Sequence, residues 1–314
     1  MNSDLRIVYM GTPDFSVGPL EALIKAGHEI SLVVCQPDRP KGRSKEPAPC
    51  PVKECAVAHG LKVFQPERIK RAEAVEELKK YPADVFVVAA FGQILSQEIL
   101  DMPEYGCLNI HASLLPAYRG AAPIQYAVIN GDKESGVTIM QMDAGIDTGD
   151  ILMQRSIEIA PDETGGSLFD KLSVLGSQLI TEALEALENG GLTPVKQDAS
   201  KATHVGMLSK EDGRINWFRS AEEIERLIRG TDPWPGAYTS LHSKVLKIWK
   251  AEVEDMDAPG AAQGMITNVG KDSFLVSCGM GTLKITELQI EGKKRMSCAD
   301  FLRGVKIEAG EHLG

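Results

Sequence analysis

The stretch RIVYMGTPDFS, residues 6–16, is where the architecture of the chain becomes legible. An apolar strand runs into Gly11, and Pro13 follows where the first turn of a helix begins. Proline suits that position because its missing N–H would have no partner there anyway. The ligand such a strand–glycine–helix junction first suggests is a dinucleotide. That site needs G-x-G-x-x-G, whereas here Gly11 is followed by Thr12 and Pro13. A bound nicotinamide cofactor is therefore disfavoured.

Strand-like and helix-like segments alternate onward from this point. A helical pattern over 15–26 leads to EISLVVC (29–35), a helix through VKECAVAHG (52–60) and the short strand KVFQP (62–66). The charged segment ERIKRAEAVEELKKY (67–81) reads as a helix, ADVFVVAAFG (83–92) as a buried strand, and GCLNIHAS (106–113) as another strand after a short helix at 96–100. Near-continuous apolar strands separated by helices imply a mostly parallel sheet covered on both faces. The fold expected is α/β and Rossmann-like. Two further strands, GVTIMQMD (136–143) and DILMQRSIEI (150–159), precede a long amphipathic helix over 166–190.

After that helix the pattern changes. LTPVKQDASKATHVG (192–206) is polar and reads as a linker. One helix (221–230) then precedes short strand-like runs at 237–241, 244–253, 264–269, 273–278 and 281–290, separated by Gly or Asp turns. Such spacing points to a small antiparallel β-barrel, OB-like, or a sandwich. The expected domains are therefore 1–190, a linker at 191–206, and a C-terminal barrel-like domain at 207–314.

Composition narrows the class. With 43% apolar and 25% charged residues the chain is globular. No apolar run approaches the roughly 20 residues that cross a bilayer, and the N-terminus has no basic leader, so a cytoplasmic protein without membrane partners is expected. The six cysteines form no CxxC pair and no Cys/His spacing of a zinc site, so they are read as structural or free thiols. The net charge of −10 argues against nucleic-acid binding through the whole surface. Residues 207–314, however, carry 15 Lys/Arg against 16 Asp/Glu, which leaves room for a local basic patch.

Four segments carry chemistry. In LNIHASLLPAYRGAAP (108–123), strand alternation projects Asn109 and His111 from one side with Ile110 on the other, at the sheet edge where α/β proteins bind ligands. An acid is needed to hold the tautomer of His111 and favour its charged form, and MDAGIDTGD (142–150) offers Asp143, Asp147 and Asp150. QPDRPKGRSKEPAPCP (36–51) is a long βα connection with four basic residues and one acid in its first ten, suited to a solvated loop or a phosphate-contacting finger. KVLKIWK (244–250) and GKKR (292–295) place further basic residues in the barrel-like part.

Taken in order, GTPDF (11–15), QPDRPKGR (36–43), NIHASLLP (109–116), RGAAPIQ (119–125), GVTIMQMD (136–143), DTGD (147–150), LSKEDGRINW (208–217) and PWPGA (233–237) make a chain that resembles the 10-formyltetrahydrofolate-dependent formyltransferases, in particular those acting on methionyl-tRNA. The resemblance covers essentially the whole chain. It implies transfer of a formyl group from 10-formyltetrahydrofolate to the α-amine of methionyl-initiator tRNA by a monomer, without metal or NAD(P). It carries the catalytic roles onto Asn109, His111 and Asp147. Folate binding falls on Ser113, Leu114, Leu115 and Pro116 together with Phe91, Gly92, Gln93, Ile94 and Leu95. Contacts to tRNA fall on Lys41, Arg43 and Lys45 of the inserted loop, joined by Lys244, Lys247 and Lys250. The loop departs from its relatives at Glu46 and Pro47, where they tend to be more basic or apolar. Formyltransferases acting on glycinamide ribonucleotide or amino-sugar nucleotides share the Asn/His/Asp core, but usually lack this basic loop together with the C-terminal module.

Overall fold

The structure is a computed structural model that describes residues 5–40, 46–256 and 261–314. In chain order its elements begin with β1 (Arg6–Gly11), α1 (Val17–Ala26) and β2 (Glu29–Val34). The pair β3 (Arg39–Pro40) and β4 (Pro47–Ala48) precedes α2 (Pro51–Ala58), β5 (Val63–Phe64), α3 (Ala72–Leu78) and β6 (Val85–Ala89). Then follow α4 (Gln97–Leu100), β7 (Cys107–His111), β8 (Arg119–Gly120), α5 (Pro123–Asn130), β9 (Glu134–Gln141), β10 (Ile151–Glu158) and α6 (Gly165–Glu188). The chain continues through β11 (His204–Val205), α7 (Ala221–Gly230), β12 (Ala237–Leu241), β13 (Lys244–Asp255), β14 (Ile266–Val269), β15 (Phe274–Ser277), β16 (Thr282–Ile290), β17 (Met296–Ser297) and α8 (Cys298–Gly304).

It divides into two compact units. The first comprises residues 1–123, 135–157 and 169–205; the second comprises 124–134, 158–168 and 206–314. Two short insertions from the middle of the chain thus join the C-terminal part. The segment 191–206, which sequence alone suggests is a linker, carries β11 and contributes to the first unit.

The first unit is built on a seven-stranded sheet in the order β10-β9-β7-β6-β1-β2-β5. The neighbours from β7 to β5 run parallel, and β9 is antiparallel to β7. Strands β1 and β6 are central and covered on both faces, which is why RIVYMG and VFVVA lack polar alternation. Val8, Met10, Leu32, Val34, Phe86 and Val88 pack on one face with Val75 and Leu78 of α3. On the other, Phe15 meets Phe169 of α6 edge-on at 5.6 Å. Fully burying each such side chain stabilises the fold by about 1.5–3 kcal/mol. Helix α3 is shorter than the charged 67–81 pattern suggests. Ile69 is fully buried with its N–H bonded to Gln93 Oε1 at 2.6 Å, so the chain stays irregular until Arg71.

The second unit holds a six-stranded antiparallel sheet, β12-β13-β16-β15-β14 with β17 on β16. Ile224 and Ile228 of α7 pack with Leu246, Ile248, Leu283 and Ile285 in its core. Helix α7 starts on a capping box, with Ser220 Oγ accepting from Glu223 N and the Glu223 carboxylate accepting from Ser220 N. Helix α8 is capped by Ser297, whose Oγ accepts from Asp300 N at 3.1 Å. Among the described residues, no helix is long and apolar enough to cross a membrane.

Candidate active site

The site grows from the C-terminal end of β7. Ile110 points toward α6, where a Cβ added at Gly176 would lie 3.0 Å from its Cγ2, and strand alternation turns Asn109 and His111 the other way. The chain beyond β7 is fixed by a network centred on buried Thr138. Thr138 Oγ1 donates to Ser113 O at 2.6 Å and accepts from Leu115 N at 3.1 Å, while Gln154 Nε2 donates to both Leu115 O and Thr138 Oγ1 at 2.8 Å. Ser113 Oγ closes the turn on Ala117 O at 2.7 Å.

Of the three candidate acids, the fold brings Asp147 to the pair. Asn109 Nδ2 donates to Asp147 Oδ1 at 3.4 Å, and His111 Nδ1 lies 3.7 Å from Asp147 Oδ2. Asp143 is exposed and spent on its own turn, accepting from Gly145 N and Thr148 Oγ1. The His111 side chain is only 7% exposed. Its Nε2 lies 2.9 Å from the Tyr118 carbonyl, which can only accept, so that nitrogen carries a hydrogen. Nδ1 faces Asp147, and 3.7 Å is too long for a direct hydrogen bond to the carboxylate.

Asp147 is itself held from three sides. Its Oδ2 accepts from Gly120 N at 2.8 Å, and its carbonyl accepts from Gln197 Nε2 at 2.8 Å. Gln197 Nε2 also donates to Gly149 O at 2.7 Å, and its Oε1 accepts from Arg119 Nε at 3.0 Å and Nη2 at 2.8 Å. Asp147 adopts a φ of 53°, and Gly149 follows where any Cβ would sit 1.7 Å from Gln141 O. The DTGD turn is therefore a shaped element. Sequence reading left out Gln197, Tyr118 and Gly120 as site components. Gln197 lies 50 residues beyond Asp147 in a polar segment without periodicity, and the bridge of Val195 to Ile151 and the pairing of β11 with β8 bring that segment across.

The residues expected to bind folate lie at the ends of β6 and β7. Ile94 is 70% exposed, whereas Phe91 and Leu95 belong to the core. Gln93 braces the neighbouring loop, donating to Pro66 O at 3.0 Å. Phe91 O accepts from Thr12 Oγ1 at 3.1 Å and Gln36 Nε2 at 3.2 Å, tying together the chain beyond β1, β2 and β6. Ser113 and Leu115 are buried, and Leu114 and Pro116 are half-buried.

The stem of the basic loop is the two-stranded pairing of Arg39 with Ala48 and Pro40 with Pro47. Lys41, Arg43 and Lys45 lie outside the described residues. On β13 the register shifts between Ile248 and Lys250, so Ala251 takes the inward position and Lys250 turns out; Lys244 is also exposed. Lys247 is engaged within the unit, donating to Pro235 O at 2.9 Å and lying 5.2 Å from the Trp249 ring centre. Arg295 of the GKKR tip pairs with Asp232 and Glu287 and covers the same ring.

The family model described as formyl transferase matches residues 5–184, and that of the formyl transferase C-terminal domain matches 207–306. The chain belongs to this family. Among its relatives, the methionyl-tRNA formyltransferase of Agathobacter rectalis is 55% identical over 98% of both chains. That of Geobacter metallireducens is 51% identical over 99% of both. Among solved structures, HypX from Aquifex aeolicus in complex with tetrahydrofolic acid is similar with a TM-score of 0.65 at 18% identity, covering 99% of this chain and 51% of its own. An N-formyltransferase from Helicobacter canadensis has a TM-score of 0.66 at 20% identity, over 93% of this chain and all of its own. At such identities the likeness concerns the fold.

Proposed function

We propose that this chain formylates the α-amine of methionyl-initiator tRNA from 10-formyltetrahydrofolate, with Asn109, His111 and Asp147 as the reacting group. The observation that carries the reading is the convergence of these three side chains in a protein half-identical, end to end, to methionyl-tRNA formyltransferases.

The α-amine has a pKa near 8, so a useful fraction is neutral and nucleophilic at neutral pH. Its attack on the formyl carbon forms a C–N bond and places negative charge on the formyl oxygen. Asn109 Nδ2 keeps a second hydrogen free of Asp147, and a protonated His111 Nδ1 supplies another donor; together they stabilise that oxyanion. Asp147 stabilises the imidazolium and accepts, directly or through water, the proton the amine sheds. Collapse breaks the bond to N10 of the folate, which leaves with a proton from His111. No second copy of the chain is needed to complete this group, in keeping with a monomer, and initiator tRNA places the reaction in the cytoplasm.

The division of labour follows the sequence domains. Residues 1–190 carry folate and the chemistry, 191–206 join and brace, and 207–314 hold the tRNA through outward lysines such as Lys244 and Lys250. Lys41, Arg43 and Lys45 reach the acceptor end from the inserted loop. The deciding experiment supplies labelled formyl-folate with methionyl-initiator tRNA, methionyl-elongator tRNA or glycinamide ribonucleotide. Transfer to the initiator tRNA is expected, and transfer to glycinamide ribonucleotide alone overturns the assignment.

A further inference from the structure

Helices α1 and α2 bring together three side chains that formyl transfer does not use. Cys55 and His59 stand four residues apart, on one side of α2 and its C-terminal cap, and Glu21 faces them from α1. The Cys55 sulfur, a ring nitrogen of His59 and a carboxylate oxygen of Glu21 all lie within 4.8 Å of one another. Cys55 is buried, whereas the Glu21 and His59 side chains are exposed and have no hydrogen-bond or ion-pair partner among the described residues.

We propose that Glu21, Cys55 and His59 form a Zn²⁺ site that clips α1 to α2, with a fourth position open to water. Thiolate, imidazole and carboxylate suit this borderline-soft ion, and the thiolate disfavours Mg²⁺ and Ca²⁺, which take oxygen ligands. Zinc–ligand bonds of about 2.0–2.3 Å put the donors of a tetrahedral site roughly 3.5 Å apart. From separations of at most 4.8 Å the cluster need contract by no more than about 1.3 Å, a movement within reach of the exposed Glu21 and His59 side chains while buried Cys55 stays in place. An ordinary thiol keeps its proton at neutral pH. The bound ion replaces that proton, which leaves to solvent, and neutralises the thiolate and carboxylate together. Spacing searches for zinc motifs miss the group because its third ligand lies 34 residues upstream of Cys55, on another helix.

The test uses the full chain, stripped with a chelator, reduced with a phosphine, and titrated with Zn²⁺ or Co²⁺. One equivalent is expected to bind, with a thiolate-to-cobalt charge-transfer band, release of one proton, and a rise in unfolding temperature on adding Zn²⁺. Glu21→Ala and His59→Ala lie at exposed positions and leave the core alone. Each should weaken binding by more than the roughly 10–100-fold that loss of an outer-shell partner costs, and Cys55→Ser should abolish the band. The stripped protein should still formylate tRNA, since Asn109, His111 and Asp147 are untouched, which keeps this result separate from that of the acceptor assay. Absence of the band, or tight binding that survives both alanine substitutions, overturns the proposal.

Discussion

The side-chain amide of Gln197 fastens the backbone of Asp147, donating to its carbonyl at 2.8 Å and to the Gly149 carbonyl at 2.7 Å, while its oxygen receives the Arg119 guanidinium. A residue from the polar stretch before the second family match thus sets where Asp147 stands. The Asp147 carboxylate is aimed by a different contact, the 2.8 Å bond from Gly120 N. Backbone and side chain are positioned separately, so they can be perturbed separately.

Gln197→Ala should lower kcat by about 10²-fold, the scale of loss from misplacing a reacting group by 1 Å, while folate affinity holds. It also leaves the Arg119 guanidinium, buried at 7% exposure, without this acceptor and should lower the unfolding temperature. Gln197→Glu keeps an acceptor for Arg119 but turns an oxygen toward two carbonyls. It should therefore lose kcat with less loss of stability. Steady-state kinetics beside thermal unfolding separate the two effects, and full turnover in both variants removes Gln197 from the positioning role.

If Asn109 donates to the oxyanion as proposed, Asn109→Ala should cost about 10²–10³ in kcat with folate binding little changed. Asp147→Asn keeps an oxygen for Gly120 N but removes the charge beside His111 Nδ1, and should be at least as damaging. Single-turnover formyl transfer at saturating folate measures both; wild-type rates would strip these residues of their roles.

Gly120→Ala tests the seam between β8 and β11. Gly120 has a φ of +105°, and a Cβ there would meet Val205 O at 2.2 Å. Strained backbone alone costs about 1–3 kcal/mol, and relieving the clash must push β11 away or tilt the N–H that aims Asp147. Loss of both stability and kcat is expected. A folded variant with unchanged turnover would show that the seam does not set the acid.

How far the sequence was readable follows from what each feature depends on. The parallel strands announced themselves because β1 and β6 are buried on both faces, and Asn109 and His111 because strand alternation is local. Asp147 could be narrowed only to one of three acids by chemistry; the resemblance chose it, and the fold explains why Asp143 is otherwise engaged. Gln197 and Gly120 were silent as site residues because their roles are contacts to Asp147 across 50 and 27 residues of chain, which no periodicity records. The 67–81 pattern misled because one buried side chain, Ile69, and one side-chain acceptor, Gln93, outweigh helix propensity over that stretch. Helix α8 had a local signal, Ser297 three residues before Asp300, that the strand-rich surroundings obscured.

Alkaline stability should report the buried thiols. Burial, with the charge of Asp101 adding to it, pushes the Cys107 thiol from its ordinary 9.0 up to about 12. The native chain then keeps a proton that the unfolded chain releases. This contribution is fully present below 9.0 and is lost as pH rises from 9.0 toward about 12. Cys278 and Cys298 shift the same way, so the whole chain should lose stability steeply in that window. Cys107→Ala removes one proton from the difference and should reduce the slope by up to about 1.4 kcal/mol per pH unit, despite lower stability at neutral pH. Urea unfolding across the window measures the slopes, and equal slopes would mean that the Cys107 thiol ionises as readily in the native chain as in the unfolded one.

The lysines of β13 make the last prediction, because the strand treats them differently. Lys244 is exposed near a turn, and the register shift after Ile248 turns Lys250 to the surface, whereas Lys247 is held by Pro235 O and Trp249. If outward charge holds the tRNA, Lys244→Ala combined with Lys250→Ala should raise KM for tRNA. It should also flatten the salt dependence by roughly one unit of log–log slope for each phosphate contact removed. Folate affinity and kcat at saturating tRNA should hold, since neither residue belongs to the reacting group. Lys247→Ala should instead weaken the unit by about 1 kcal/mol through its lost carbonyl and ring contacts. An unchanged KM and salt slope in the double variant would remove β13 from the tRNA-holding surface and leave that work to the inserted loop, where Arg43→Ala should produce the same two effects.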